Sequence, residues 1–198
     1  MASVFETYLQ LGFLHICTPR AADHLTFLLA LCAPYVLADW RRVLALVTSF
    51  TLGHSLTLAL ATLGVVAFNP AVTEALIPAT IVVTALANLR GAGRVPTPRA
   101  PVLAAVPNAL ALVFGLIHGL GFSNYLRALL GNHSRPVQEL LAFNVGVELG
   151  QVLVVGVILL LGAVLLRGLR VARRDWLLTT SGAALGIAVV LLVQQLWP

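Results

Sequence analysis

An apolar run of membrane-spanning length covers residues 137–166, and it contains the polar stretch Phe143-Asn144-Val145-Gly146-Val147-Glu148-Leu149-Gly150-Gln151. A carboxylate at membrane depth is unfavourable by several kcal/mol unless it is paired, hydrated or protonated. Asn144, Glu148 and Gln151 have the spacing i, i+4, i+7, so a helix presents all three from one face. The stretch therefore predicts a membrane helix whose polar seam faces other protein segments, with Glu148 in need of a partner.

The composition of the chain is that of an integral membrane protein. Of its 198 residues, 60% are hydrophobic and 10% are charged, whereas a soluble domain has about 25% charged residues. Apolar runs recur from end to end, so the expected fold is all-α: a polytopic transmembrane helical bundle of six to seven membrane segments in one domain over residues 1–198. The arginines stand in short gaps between these runs, which argues against nucleic-acid binding and makes the lipid bilayer the expected surroundings.

Seven apolar segments are expected, over residues 4–18, 22–38, 43–68, 72–89, 101–122, 137–166 and 176–197. The first is short, and is either a tilted span or a re-entrant half-helix packed against protein. Pro78 predicts a kink in the fourth segment. Residues 123–135 are expected to form the longest polar connection. The N-terminal residues include no Lys or Arg, so no cleaved signal peptide is expected.

The arginines also predict the orientation in the membrane. The connections after the second, fourth and sixth segments hold two, three and four arginines, whereas the other connections hold one, none and two. By the positive-inside rule the first set is cytoplasmic, which puts the C-terminus outside the inner (plasma) membrane. The N-terminus is then inside if the first segment spans, and outside if it re-enters.

Ionisable residues of several segments fall at a similar depth, from the outer face to the middle of the membrane. Imidazole and carboxylate groups together suit borderline divalent metals such as nickel or zinc, and an ionisable residue inside a membrane indicates a functional site. The expected metal ligands are His15, Asp23, His24, His54, His118 and Glu148. Imidazoles bind metal only when neutral, so acid pH is expected to weaken binding.

Other polar residues are expected to support these ligands or to line a pathway. Thr51 and Ser55 stand close to His54 on a helix, where a hydroxyl could orient the imidazole, although such hydroxyls also bond to their own helix. Asn144 and Gln151 share the face of Glu148. Glu74, at the start of the fourth segment, is either part of the site or a boundary charge. No catalytic residue is assigned, because the chain contains no hydrolytic triad, phosphate-binding loop or dinucleotide-binding motif.

With these residues assembled, the chain resembles the hydrogenase/urease accessory membrane protein family (HupE/UreJ type), in particular its second subfamily. The matching pieces are Gly12-Phe13-Leu14-His15-Ile16, Asp23-His24-Leu25-Thr26-Phe27-Leu28, Phe50-Thr51-Leu52-Gly53-His54-Ser55-Leu56-Thr57-Leu58, Phe114-Gly115-Leu116-Ile117-His118-Gly119-Leu120-Gly121-Phe122 and the stretch of residues 143–151. The chain departs from the family pattern in a longer connector at residues 17–22, and in Ala87 where a glutamate is common. The resemblance implies the handling of nickel or cobalt for metalloenzyme maturation.

Three functions remain open at this point. The first is a divalent-metal permease, with nickel as the preferred ion and zinc or cobalt as alternatives. The second is an intramembrane zinc hydrolase or acyltransferase that uses the same cluster, with Glu148 or Asp23 as general base. The third is a scaffold with a polar packing seam and no metal. Glycine pairs at 115/119, 146/150 and 182/186 allow either internal packing or assembly into a homo-oligomer.

Overall fold

The computed structural model of this protein describes residues 3–18, 21–92, 105–130 and 136–197, and its regular elements over those ranges are all helical. The helices are α1 (Val4–Cys17), α2 (Ala22–Cys32), α3 (Trp40–Thr62), α4 (Pro70–Arg90), α5 (Ala105–Gly121), α6 (Ser123–Leu130), α7 (Pro136–Ala163) and α8 (Arg173–Leu196). A 3-10 turn at Leu37–Asp39 leads into α3, and a π-helical turn at Val164–Gly168 extends α7. The all-α prediction is confirmed.

Length and composition alone identify four to five candidate membrane spans among the described helices. Within the described ranges, α3, α4, α7 and α8 are each long and apolar enough to cross a membrane. A fifth candidate is the pair α5 and α6, which are bent by 49° relative to each other. The predicted count is therefore not confirmed by these criteria.

Several helix boundaries differ from the prediction for local reasons. The second segment, expected to reach residue 38, ends as α2 at Cys32 because Pro34 follows and disfavours helix at the residue before it. The fourth segment, expected to begin at residue 72, begins as α4 at Pro70: the Asn69 side chain accepts a hydrogen bond from the Ala71 amide, and Pro70 is the first helical residue.

The predicted polar connection at residues 123–135 contains α6 over Ser123–Leu130. The arginine-rich connection before α5 lies outside the described residues beyond residue 92. The last part of the expected polar connection, residues 131–135 with His133, also lies outside them.

Helices α1 and α7 run parallel in direct backbone contact. A Cβ on Gly12 would clash with the Phe143 carbonyl, and one on Gly146 would clash with the Leu9 carbonyl. At Gly150 the nearest atoms belong to Phe13, Ile16 and Cys17. Contacts thus advance along both helices together, which is a parallel pairing. The small residues at 146 and 150 serve this internal packing.

Helices α3 and α5 form a second parallel pair, in which glycines again allow direct backbone contact. Gly53 faces the Leu112 carbonyl, Gly115 faces the Phe50 carbonyl, and Gly119 faces the His54 carbonyl, each too close for a Cβ. The Thr57 hydroxyl donates to the Leu116 carbonyl at 2.7 Å. The glycines at 115 and 119 therefore pack internally as well. Around Gly182 and Gly186 of α8, by contrast, no atom of the described chain would lie within 4 Å of a Cβ.

Helices α1 and α2 follow one another along α7. The last turn of α1 lies at Gly150, whereas Leu28 and Cys32 of α2 share a buried cluster with Val155 and Leu159, further along α7. With 14 and 11 residues, the two helices measure roughly 21 Å and 16 Å, each too short for a hydrocarbon core of about 30 Å. We interpret them as two halves of an interrupted span, with the end of α1 and the start of α2 near the middle of the bundle.

Candidate metal centre

Five of the six predicted metal ligands converge. His15, His24 and His54 form one group, and Asp23, His24 and His118 form another; within each group the available ligand atoms lie within 4.8 Å of one another. His24 belongs to both groups, so the five residues form one cluster, here called the imidazole cluster. The ring centroid of His24 is 4.8 Å from that of His15, 6.1 Å from that of His54 and 5.1 Å from that of His118.

The fold explains why residues so far apart in sequence meet. The interruption between α1 and α2 places His15 at one helix end and Asp23 and His24 at the next helix start. His54 and His118 come from α3 and α5, whose axes are drawn together where Gly119 meets the His54 carbonyl. Four helices thus contribute to one centre.

The cluster is buried, and its nitrogens lack partners within the described part of the chain. His54 is 0% exposed and His118 is 1% exposed. The atoms without a hydrogen-bond partner are His15 Nε2, His24 Nε2, His54 Nδ1, His54 Nε2 and His118 Nδ1. A buried polar atom without a partner costs about 1–3 kcal/mol, and so many of them in one place indicate a ligand. Neutral imidazole nitrogens are the donors that nickel, zinc and copper prefer, so the residues present fit a divalent metal ion.

Asp23 sets the orientation and tautomer of His24. His24 Nδ1 lies 3.1 Å from Asp23 Oδ1. Because a carboxylate only accepts hydrogen bonds, Nδ1 carries the proton and the lone pair is on Nε2, the atom without a partner. This carboxylate–histidine arrangement is the one that commonly orients a metal-binding imidazole.

Thr80 of α4 sets the orientation and tautomer of His118, and the sequence did not predict this role for Thr80. The Thr80 hydroxyl donates to the Ile77 carbonyl at 2.7 Å and lies 3.0 Å from His118 Nε2. A hydroxyl has one hydrogen, so Thr80 accepts from the Nε2–H of His118. The lone pair of His118 is then on Nδ1, the atom without a partner. No sequence signal distinguishes Thr80 from other threonines in membrane helices.

Aromatic rings enclose the cluster. The Phe122 ring lies 4.1 Å from the His15 ring between centroids, and the Phe27 and Phe50 rings lie 5.2 Å and 5.1 Å from that of His118. Such apolar walls exclude water and lower the local dielectric constant, which strengthens binding between a cation and its ligands.

A cavity of about 670 Å³ leads to the cluster. At its inner end it is lined by His15, Asp23, His24 and His118, and further out by residues that include Glu74, Tyr125 and Gln195. Glu74 is exposed at the start of α4 and lies on this lining; its two predicted roles, in the site or as a boundary charge, both stay predictions.

The remaining predicted residues belong to α3 and α7 and lie outside the two groups of ligand atoms. Glu148 belongs to neither group, and its Oε1 accepts a hydrogen bond from Thr48 at 2.8 Å. Thr51 is 2.6 Å from Gln151 Oε1 instead of orienting an imidazole. Asn144 lies next to His54, and Ser55 is half-buried on α3.

Comparisons with known proteins give one match. A protein-family model described as HupE / UreJ protein matches residues 1–197. No curated protein and no solved structure matches the chain significantly.

Proposed function

The chain belongs to the HupE/UreJ family, and on that premise we propose that it is a permease or membrane metal-handling protein for a divalent transition-metal ion, with nickel as its preferred ion. The observation that carries the proposal is the imidazole cluster, in which buried nitrogens of four histidines are free of other partners. The family suggests nickel; imidazole donors alone also suit zinc and cobalt.

The arrangement supports an entry route for the ion as cargo. The ion would enter the cavity past Glu74, where the surroundings are still hydrated, and reach His15, Asp23 and His24 at the inner end. Exchange of water for imidazole nitrogen would then bring it to His54 and His118. Membrane location follows from the apolar helices, and the outward direction of the cavity follows from the arginine distribution.

Metal analysis of purified protein tests the proposal. Separate samples of protein in detergent are loaded with Ni²⁺, Zn²⁺ or Co²⁺, desalted and analysed for the loaded metal, and the affinity for Ni²⁺ is measured by calorimetry. Wild type is expected to bind about one ion per chain, and His54→Ala to bind at least about tenfold more weakly because a ligand is lost. His133→Ala, the histidine that the sequence places in a polar connection, is the matched control. Absence of bound nickel, zinc and cobalt from wild type would refute a metal site.

One observation favours the enzymatic alternative, a zinc hydrolase or acyltransferase. The cavity of about 670 Å³ is larger than an ion needs and falls in the range of about 300–1,000 Å³ typical of organic ligands. A resident zinc at the cluster would activate water there, and Asp23 would hold His24 as its ligand. Dialysis against a chelator separates the functions: a cargo ion leaves within the dialysis time, whereas a catalytic zinc is retained in stoichiometric amount.

A further inference from the structure

A line of oxygen-bearing side chains leads away from the imidazole cluster between α3 and α7. We call it the α3–α7 row: Thr48, Thr51, Asn144, Glu148 and Gln151. Thr51 precedes His54 by three residues and Thr48 precedes Thr51 by three, so each is a neighbour of the next on the surface of α3. The three residues of α7 share a face in the same way, and two hydrogen bonds, Thr51–Gln151 at 2.6 Å and Thr48–Glu148 at 2.8 Å, show that these faces meet.

The hydrogen bonds of the row leave one atom of the Gln151 amide unused. The Thr51 hydroxyl lies within bonding distance of both the Val47 carbonyl, at 3.1 Å, and the Gln151 amide, yet it has one hydrogen. Both bonds form if Thr51 donates to Val47 and accepts from the Gln151 NH₂. In that orientation of the amide the Gln151 oxygen has no partner, whereas in the opposite orientation the nitrogen has none. Either way one polar atom is unpartnered on a side chain that is 0% exposed.

Asn144 places a second amide group on the row. Its Nδ2 donates to the Leu140 carbonyl at 2.8 Å, and its buried Oδ1 faces the His54 ring. Because Asn144 lies next to His54, the row adjoins the imidazole cluster. Two amide side chains and the Glu148 carboxylate thus stand on one face of α7.

The row and the cavity lie on opposite sides of the cluster. Thr48 is about 9 Å nearer the N-terminal end of α3 than His54 is, at 1.5 Å per residue. The cavity instead reaches Gly121 and Tyr125, at and beyond the C-terminal end of α5, and α5 is parallel to α3. The N-terminal end of α3 carries Arg41 and Arg42, which mark the cytoplasmic side.

We propose that the α3–α7 row is a second, oxygen-lined cation station, which receives the ion from the imidazole cluster and leads it towards the arginine-marked face. The inference rests on the proposed function and adds its exit side. Amide, hydroxyl and carboxylate oxygens hold a borderline cation less tightly than imidazole nitrogens do, and conduction requires a site weak enough to release the ion. Glu148 supplies the negative charge that a cation needs at this depth.

Binding and transport measured separately on Glu148→Gln test the station. In detergent, Ni²⁺ affinity is expected to stay within about threefold of wild type, because Glu148 lies outside the cluster. In proteoliposomes with a metal-sensing dye inside, Ni²⁺ uptake is expected to fall at least about tenfold, because the only carboxylate of the row is gone. Glu139→Gln is the matched control, since it makes the same change elsewhere on α7 and should retain uptake.

Each other outcome is informative. Uptake by Glu148→Gln equal to that of wild type would overturn the station. Loss of Ni²⁺ binding together with loss of uptake would also overturn it, because Glu148 would then be a ligand of the cluster. Wild type that binds Ni²⁺ but never transports it would overturn the station and leave the metal site standing, whereas wild type that does not bind it would refute the proposed function itself.

Thr48→Val keeps the test decisive if Glu148→Gln does not fold. It removes the hydroxyl that holds Glu148 while preserving side-chain shape, and a reduction in uptake of several-fold is expected. Ser49→Ala is its control, because Ser49 bonds to Asn108 of α5 at 2.9 Å and lies off the row. Equal uptake by Thr48→Val and Ser49→Ala would overturn the station.

Discussion

Two histidines of the imidazole cluster have lone pairs fixed by a neighbouring oxygen atom. Asp23 accepts from Nδ1 of His24, and Thr80 accepts from Nε2 of His118. The two rings therefore offer opposite nitrogens, Nε2 and Nδ1, and both of these are among the unpartnered atoms. An imidazole held in one tautomer binds metal without first exchanging its proton, so the neighbours contribute to affinity although neither needs to touch the ion.

Replacing Thr80 by Val is expected to weaken Ni²⁺ binding about 10- to 100-fold, the usual effect of losing a group that orients a ligand. Val removes the acceptor for the Nε2–H of His118 while keeping the branched shape. Thr80→Ser should restore binding, and Thr84→Val, one turn further on the same helix, should leave it unchanged because Thr84 bonds only to the Thr80 carbonyl among the described contacts. Calorimetric titration of the four proteins measures this; equal affinity for Thr80→Val and Thr84→Val would contradict the assigned tautomer.

At this scale, the sequence identified the groups that are rare in a membrane and missed those that are common. Histidines and Asp23 stand out against apolar neighbours, and the structure gathers them. Glu148 was expected among the metal ligands but accepts a hydrogen bond from Thr48, and its role as a ligand stays a prediction. Which residue an acid faces depends on the rotation and height of two helices relative to each other, and neither can be derived from the spacing within one helix.

The helix pairs depend on glycines at crossings, and α3 and α5 give the sharpest test. Gly119→Ala would place a Cβ against the His54 carbonyl and the Thr57 hydroxyl, so α5 must move away from α3. Overpacking of this kind typically costs about 1–3 kcal/mol, and it should also weaken Ni²⁺ binding because His54 and His118 are on the two separated helices. Thermal unfolding in detergent and calorimetry measure the two effects.

Gly182→Ala is the control for that substitution, because its Cβ would meet no described atom within 4 Å. Its unfolding temperature and its Ni²⁺ affinity should match or exceed those of wild type, since alanine favours helix. If Gly119→Ala matched this control in both measurements, the close approach of α3 and α5 would not be needed for the cluster.

At the scale of helices, hydropathy located the apolar segments but not their relation to one another. The end of α2 was readable from Pro34, whereas α6 has eight residues and lies in a stretch too polar to stand out. The interrupted span formed by α1 and α2 escaped prediction because its two halves read as separate short segments. Their relation to α7 is what indicates that they continue one another: the last turn of α1 lies at Gly150, and α2 shares a buried cluster with residues further along α7.

For the molecule as a whole, the parallel packing of α1 and α7 decides a question that the sequence left open. The first segment was either a span, with the N-terminus inside, or a re-entrant piece, with the N-terminus outside. Since α1 runs in the same direction as α7, the N-terminus lies on the side where α7 begins. The arginines at 167, 170, 173 and 174 follow α7, so that helix is expected to begin outside and end inside.

Both termini are therefore predicted to be outside, because α8 returns from the arginine-rich turn across the membrane. A C-terminal alkaline phosphatase fusion should be active and a C-terminal green fluorescent protein fusion dark, since the first needs the oxidising outer compartment and the second must fold inside. An N-terminal epitope tag should be accessible to antibody in intact spheroplasts, with a cytoplasmic protein as the control for leakage. A tag reached only after lysis, together with an active phosphatase, would place the termini on opposite sides; α1 and α7 would then cross in opposite directions, and their parallel packing would be refuted.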